Sequence, residues 1–322
     1  MTTRFQDTDA TRTAVPLMLG IVGPSFSGKT VSALRLATGI QRVTGGDIHM
    51  IDTESRRGLH YAPRTGEAVD IRQHTFKFRH VPFAAPFGPL DYLAAIEHCH
   101  KRGASVIIVD STSHEHEGPG GVLEQHDAEA RRLAALWKVS EYVTQIPAWA
   151  PVKSARRRMI NSILQLPVSV IFCFRAKEKI KIQKGKDPEN LGWMAIAGEE
   201  LVFEMTACAL LPPGAAGVPR WQSKLEGEQS TIKLPAKLAP LFGDGPLSED
   251  IGESLARWAS GEVSVFETLL RAVESAANDA ELGATLPRLE EARTGKRINA
   301  GEVKSLREAV ARRRAELGSV TP

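Results

Sequence analysis

Gly23-Pro24-Ser25-Phe26-Ser27-Gly28-Lys29-Thr30 matches the pattern G-x-x-x-x-G-K-[ST] at every fixed position. Each fixed residue answers a physical demand. Gly23 and Gly28 let the backbone curl tightly without a Cβ clash. Successive N–H groups can then face inward and form a nest for anions. Lys29 adds a mobile cation for β- and γ-phosphates, and Thr30 a hydroxyl for Mg²⁺. The candidate nucleotide contacts are therefore Gly23, Pro24, Ser25, Phe26, Ser27, Gly28, Lys29, Thr30 and Val31.

The flanks agree with the motif. Leu17-Met18-Leu19-Gly20-Ile21-Val22 is an apolar run of strand length, and Val31, Leu34, Leu36, Ala37 and Ile40 recur at helical spacing. Strand, loop and helix follow in the order that aims a helix N-terminus at phosphates. Further on, Asp47-Ile48-His49-Met50-Ile51-Asp52 reads as a second strand running into Thr53-Glu54. A helix is expected at 90–97, then a buried strand, Ser105-Val106-Ile107-Ile108-Val109-Asp110-Ser111. Its closing acid is the Walker B arrangement, which makes Thr30 and Asp110 the candidate metal ligands. A helix over 154–165, a strand over 167–174 and another strand within 201–211 continue the alternation. Strands alternating with helices predict an α/β fold with a mainly parallel sheet, whose ligands sit at the carboxyl ends of the strands. Lys29, Glu54, Asp110 and Arg175 all fall at such ends and are the candidate catalytic groups.

Length, composition and cysteine use limit the classes available. The 322 residues have room for one large domain and a small one. Net charge is +3, too small to imply a nucleic-acid partner by itself. Cys99, Cys173 and Cys208 are isolated, two of them in apolar runs, so buried free thiols are expected rather than zinc ligands. No apolar run approaches the ~20 residues of a membrane span, and residues 2–13 lack a signal-peptide core. No membrane partner is expected, and a reducing cytoplasm is the expected location. A turn-rich connection at 212–217, an edge hairpin within 221–234 and a loop at 242–246 are expected next. Helical spacing at Val265-Leu269-Val273, Leu282-Leu286-Leu289 and Val303-Leu306-Val310-Leu317 predicts a C-terminal bundle of three helices. The expected organisation is a flexible N-terminus at 1–14, an ATPase core at 15–245 and a helical domain at 262–322.

The order of Gly23 to Thr30, Ile51-Asp52-Thr53-Glu54 and Val106 to Ser111 resembles the RecA/RadA-type ATPase core. A closer likeness is to phage-encoded P-loop ATPases of a compact, core-only RecA type, associated with recombination and single-strand annealing. The blocks Ser113-His114-Glu115-His116-Glu117-Gly118-Pro119-Gly120-Gly121-Val122-Leu123-Glu124 and Phe172-Cys173-Phe174-Arg175-Ala176-Lys177-Glu178-Lys179 look like members of that group. The likeness spans roughly 15–235. It implies a RecA-like P-loop NTPase fold, ATP and Mg²⁺ as cofactors, and hydrolysis to ADP and phosphate. It implies a water-positioning role for Glu54, single-stranded DNA as a partner, and action beside other phage recombination or replication proteins in the host cytoplasm. It also implies self-association as a ring or short filament.

Several groups keep more than one reading. His114 and Glu115 could sense a γ-phosphate, the alternating His and Glu of 114–117 could hold a metal, or the segment could be a plain polar loop. Arg175 and Lys177 could meet a γ-phosphate within the subunit or across a subunit boundary, or could simply be solvated. The 153–186 stretch carries ten cations and one acid, a local excess of +9 in a chain of +3. Within it Lys177, Lys179, Lys181, Lys184 and Lys186, with Trp193 beyond, are the candidate DNA contacts on a mobile loop, cations for phosphates and the indole for a base, or else the segment is a solvated basic hairpin. Arg312-Arg313-Arg314 reads as a solvated helix face with a secondary claim as a contact site. Two rival functions stand beside the ATPase: a small-molecule or nucleotide kinase with the basic stretch as its lid, and a non-catalytic nucleotide-binding scaffold.

Overall fold

The computed structural model describes residues 7, 9–183, 185 and 187–318. Seven strands make one sheet: β1 (Met18–Gly23), β2 (Asp47–Asp52), β3 (Arg79–Pro82), β4 (Ala104–Asp110), β5 (Ser169–Lys181), β6 (Glu189–Ala195) and β7 (Ala207–Leu210). Six lie in the order β3-β2-β4-β5-β1-β7, every neighbouring pair parallel. The seventh, β6, pairs antiparallel with the outer half of β5. The fold class is thus the expected one, a mainly parallel sheet flanked by helices and followed by C-terminal helices.

Parallel strands connected by helices are covered on both faces, and so read as unbroken apolar runs. Val106, Ile107, Ile108 and Val109 in β4 are all fully buried. Alternate side chains serve opposite layers. Val106 and Ile108 join a core with Leu34, Ala37 and Ile40 of α1 (Lys29–Thr44). Ile107 and Val109 join a second core with Tyr92 and Ile96 of α2 (Pro89–Lys101) and Met159, Ile160 and Ile163 of α6 (Trp149–Leu164). Between these come α3 (His114–Glu117), α4 (Val122–Trp137) and α5 (Glu141–Thr144). Cys99, Cys173 and Cys208 are buried free thiols, as expected.

Several expectations fail for identifiable reasons. The strand expected within 201–211 forms only over its later part, the four residues of β7, while the earlier part belongs to a short helix, α7 (Glu199–Phe203). Leu201 and Val202 are apolar because that helix turns them into the second core. No hairpin forms over 221–234. Isolated bridges tie Arg220 to Leu210 and Lys233 to Cys208, with a 3₁₀ turn at Glu226–Ser230 between. The expected mobile loop after Arg175 is instead regular structure, the β5–β6 hairpin; only positions 184 and 186 at its tip lie outside the described residues.

The core runs past residue 245. After α8 (Ala239–Phe242), α9 (Glu249–Ser260) lies along α1 and buries Ile251, Leu255 and Ala256 in the first core. Two glycines allow that approach. A Cβ at Gly39 would sit 1.9 Å from the Glu249 carbonyl oxygen, and one at Gly252 would sit 2.2 Å from that of Leu36. Arg35 clamps the same contact, its guanidinium donating to both Glu249 carboxylate oxygens at 2.8 and 2.9 Å.

The N-terminal stretch makes contacts near its end. Arg12 donates to Glu267 at 3.1 Å and to the Trp258 carbonyl at 2.6 Å, and stacks over the Trp258 ring. Positions 1–6 and 8 of the expected flexible stretch lie outside the described residues. The expected three-helix bundle is present as α10 (Val265–Ser275), α11 (Asp279–Thr294) and α12 (Ala300–Gly318), with apolar clusters of its own. No helix among the described residues is long and apolar enough to cross a membrane.

The α1–α9 contact predicts opposite effects for two glycine substitutions. Gly39→Ala should destabilise the fold by about 2–3 kcal/mol in urea unfolding, because a methyl there overlaps backbone. Gly283→Ala, in α11 with nothing within 4 Å of its Cβ position, should instead stabilise by about 0.5–1 kcal/mol. Equal effects would refute the close-packing account of α9.

Candidate functional site

Parallel register sets the site. Asp52 pairs with Asp110 across β2 and β4, and Gly23 with Arg175 across β1 and β5. The phosphate loop, both acids and Arg175 therefore gather at one sheet edge.

The loop is shaped by two contacts. Gly28 has φ +97, which favours glycine, and a Cβ there would meet the Gly217 nitrogen at 2.8 Å. The turn at 212–217 thus braces the loop from behind, with Gly217 N–H donating to the Ser27 carbonyl at 3.2 Å. Lys29 Nζ donates to the Pro24 carbonyl at 2.7 Å, folding the ammonium back over the loop. Burial lowers the Lys29 pKa, while the Asp110 and Glu54 carboxylates act in the opposite sense. Ser27 is fully buried and its Oγ has no partner, so a polar atom is held ready at the loop wall. Phe26 takes part through its main chain. With φ 62 and its ring fully exposed at the tip, it offers the cradle backbone only.

Thr30 Oγ1 donates to Asp110 Oδ2 at 2.6 Å, so the two candidate metal ligands are in contact. Both present hard oxygens to one point, the donor type that suits Mg²⁺. Burial pushes the Asp110 carboxyl up to about 6, against the opposing Thr30 hydrogen bond and Lys29 charge. The phosphate loop and this oxygen pair fit a Mg²⁺–nucleotide.

Glu54 is also at this edge, and it is engaged. Arg175 donates to Glu54 Oε1 from Nε at 2.9 Å and from Nη2 at 2.7 Å. Arg175 is thus placed on the candidate water-positioning carboxylate rather than free to meet a phosphate. Its backbone N–H is fixed in turn by Ser113 Oγ at 2.8 Å.

The residues that aim these groups escaped the sequence reading. Asp52 accepts from the backbone N–H of Glu54 at 2.8 Å and of Gly58 at 2.9 Å, and its Oδ2 meets His80 Nε2 at 3.0 Å. That is an Asx-type turn, and an Asp two positions before the residue it presents was the available signal. Thr53 Oγ1 donates to the Ser111 carbonyl at 3.0 Å and accepts from its N–H at 2.8 Å, stapling β2 to β4. Tyr92 donates to the same carbonyl at 2.8 Å.

The two candidate sensors part company. His114 Nδ1 lies 2.7 Å from Thr53 Oγ1, and its ring stacks on Phe87 at 5.1 Å. Burial, and then the Arg175 charge, lower its pKa. His114 therefore belongs to the edge as a neutral ring. Glu115 is engaged away from the loop, by Arg156. It is buried and held by Arg156 Nε at 3.0 Å and Nη2 at 2.7 Å. No group of three metal-ligating side chains occurs among the described residues, so the metal alternative for 114–117 finds no support there.

The basic stretch shrinks on inspection. Arg156 is consumed by Glu115, Arg175 by Glu54, and Lys181 faces Glu189 at 3.7 Å. Lys184 and Lys186 lie outside the described residues. Lys177 and Lys179 remain exposed and without an ion-pair partner among the described residues. Trp193 lies apart from the two lysines. It pairs with Glu178, so it stands on the face opposite Lys177 and Lys179, half-buried against the second core.

No family model matches the chain, and no curated protein matches it. Among solved structures it is similar to one described as "Crystal structure of the RadB recombinase", at 18% identity over 62% of this chain and 76% of that one, with a TM-score of 0.29.

The raised Asp110 pKa gives a pH dependence with a fixed sign. Above about 6 the carboxylate is ionised and can share Mg²⁺ with Thr30; below it the proton competes. Mg²⁺-dependent nucleotide affinity should fall as pH drops through 6, approaching about tenfold per unit for a single proton. Asp110→Asn should bind weakly throughout and lose that break. Calorimetric titrations from pH 5 to 8 would show it, and an identical break in Asp110→Asn would assign the proton elsewhere.

Proposed function

We propose that this chain is a Mg²⁺-dependent, RecA-like P-loop ATPase that acts on single-stranded DNA in phage recombination or replication. One observation carries the ATPase part: Lys29, the Thr30–Asp110 oxygen pair and Glu54 gather at a single sheet edge. The residues divide the work. Gly23 to Thr30 hold the phosphates, and Lys29 leaves the Pro24 carbonyl to meet them. Thr30 and Asp110 hold Mg²⁺, which would offset charge on the phosphates. Glu54, once clear of Arg175, orients a water for in-line attack. Adenine as the base follows from the sequence resemblance.

The DNA part is supported by the exposed, unpaired Lys177 and Lys179 on a hairpin that grows directly from the Arg175 strand. A strand held there pulls on the segment whose arginine restrains Glu54. Turnover should therefore rise with single-stranded DNA, and the rise should shrink with salt. Lys29→Ala should abolish hydrolysis. Glu54→Gln should keep ATP binding and lower turnover by about 10². Phosphate release measured with and without an oligonucleotide, across a salt series, checks all three. Transfer to a small acceptor would establish the kinase instead, and tight ATP binding without turnover would establish the scaffold.

Self-association as a ring or short filament belongs to the same proposal. Its support is a run of exposed apolar side chains at the end of α4 and around α5. Leu136, Tyr142, Val143 and Ile146 are 64%, 89%, 56% and 86% exposed, with Trp137 beside them at 48%. Exposed apolar side chains gathered along one short stretch of chain fit an interface. Light scattering at micromolar concentration, with ATP and DNA, should show an assembly that Ile146→Asp reduces to monomer. A monomeric parent protein would end this part of the proposal.

A further inference from the structure

The β5–β6 hairpin has two unlike faces, and one of them borders a cavity. Strand partners share a face, so Lys177 stands with Met194, while Glu178 stands with Trp193 on the other side. Beside the lysines lies a cavity of about 230 Å³. Met194, Ile196 and Val202 give it apolar walls, and Ser230, Thr231 and Glu199 add hydrogen-bonding groups. Lys177 and Lys179 line its mouth and have no ion-pair partner among the described residues. Lysines that merely guard a strand edge need no hollow beside them.

His116 completes the lining. Arg156 Nη2 lies 3.1 Å from its Nδ1. A guanidinium only donates, so Nδ1 accepts, and the neutral ring carries its proton on Nε2. Burial, and then the Arg156 charge, lower the pKa and keep the ring in that form. Around one small cavity the chain therefore sets two free cations, one N–H donor, an apolar wall and groups able to meet a base edge.

The geometry points to a one-nucleotide subsite, with a base in the cavity and its phosphate on Lys177, Lys179 and the His116 N–H, an assignment that rests on the single-strand reading above. The volume supports the size of the ligand. At about 230 Å³ it lies below the ~300–1,000 Å³ of ordinary ligand pockets, so it takes a base or a single nucleotide rather than a triphosphate. Single-strand binders track phosphates with cations, as Lys177 and Lys179 can here, and Met194, Ile196 and Val202 offer a base an apolar wall in place of a stacking ring. A free nucleoside monophosphate carries the same chemistry as one unit of a strand.

Methyl-labelled methionine separates these sources in the full chain, because Met194 lines the cavity while Met50 and Met159 lie in the two cores. With the phosphate loop saturated by ADP and Mg²⁺, an oligothymidylate and then dTMP are titrated while the methyl resonances are followed. Anisotropy of a labelled oligonucleotide reports strand binding in parallel. The Met194 signal should shift as the oligonucleotide binds. Ala197→Trp, which fills the cavity, should remove the shift and weaken the oligonucleotide about tenfold, the scale of one lost base stack. Unmoved Met50 and Met159 signals confirm that this variant is folded. If the oligonucleotide binds and Met194 stays still, the subsite is wrong while the DNA reading stands. If only dTMP moves Met194, the subsite holds for a free nucleotide and the DNA reading fails. If neither ligand moves Met194 and no oligonucleotide binds, both are overturned.

Discussion

Two carboxyl groups stand side by side where β2 and β4 end, and both are buried. Asp52 and Asp110 are register partners at 2% and 6% exposure. Burying such a group without compensation costs several kcal/mol, and a like charge alongside adds to that. Each acid is satisfied differently. Asp52 is met by two backbone N–H groups and His80, which makes it structural. Burial raises the Asp110 pKa, and among the described residues the Thr30 hydroxyl and the Lys29 charge oppose it, an arrangement that suits the proposed cation. One edge thereby acquires a fixed acid that shapes the loop and an under-satisfied acid that can hold a metal.

Everything near that pair follows from it. Asp52 orders 53–58, and the ordered turn delivers Glu54. Thr53 ties β2 to the residue after Asp110, so the two acids cannot drift apart. The next residues on the β4 side carry the restraint onward. Ser113 fixes the backbone of Arg175, His114 leans on Thr53, and Glu115 locks α6 through Arg156.

What could be read in the sequence beforehand was what local chemistry decides. The phosphate loop, β2 and β4 are legible because glycines, apolar runs and terminal acids carry their meaning within a few residues. β3 was not: Arg79-His80-Val81-Pro82 has no apolar alternation, and β2 alone recruits it. α9 was hidden by Gly252, a poor helix residue that is retained where it meets Gly39 and α1. The hairpin was legible as one of two readings. Lys177-Glu178-Lys179-Ile180-Lys181 alternates at the strand period, while its charge also suits a loop. The face that Trp193 takes was not legible. Its strand register, a long-range property, decides which face it occupies, and nothing local reports that.

The pairing of charges matters more to function than their number. An excess of +9 over 153–186 invites a uniform picture of a sticky basic patch. Arg156 and Arg175 are not part of such a patch, because each is spent on a carboxylate at a junction between elements. Among the described residues, the charges left free on the hairpin stand on one face, two residues apart, beside a cavity and beyond the arginine that restrains Glu54. Under the single-strand proposal, a phosphate at Lys177 would act on the same strand as Arg175 and face His116, which Arg156 ties to Glu115. Both walls of the cavity are thus anchored to the segment that begins at Asp110. Occupancy there and charge compensation at the sheet edge bear on the same few residues, and coupling between them requires no motion of the sheet.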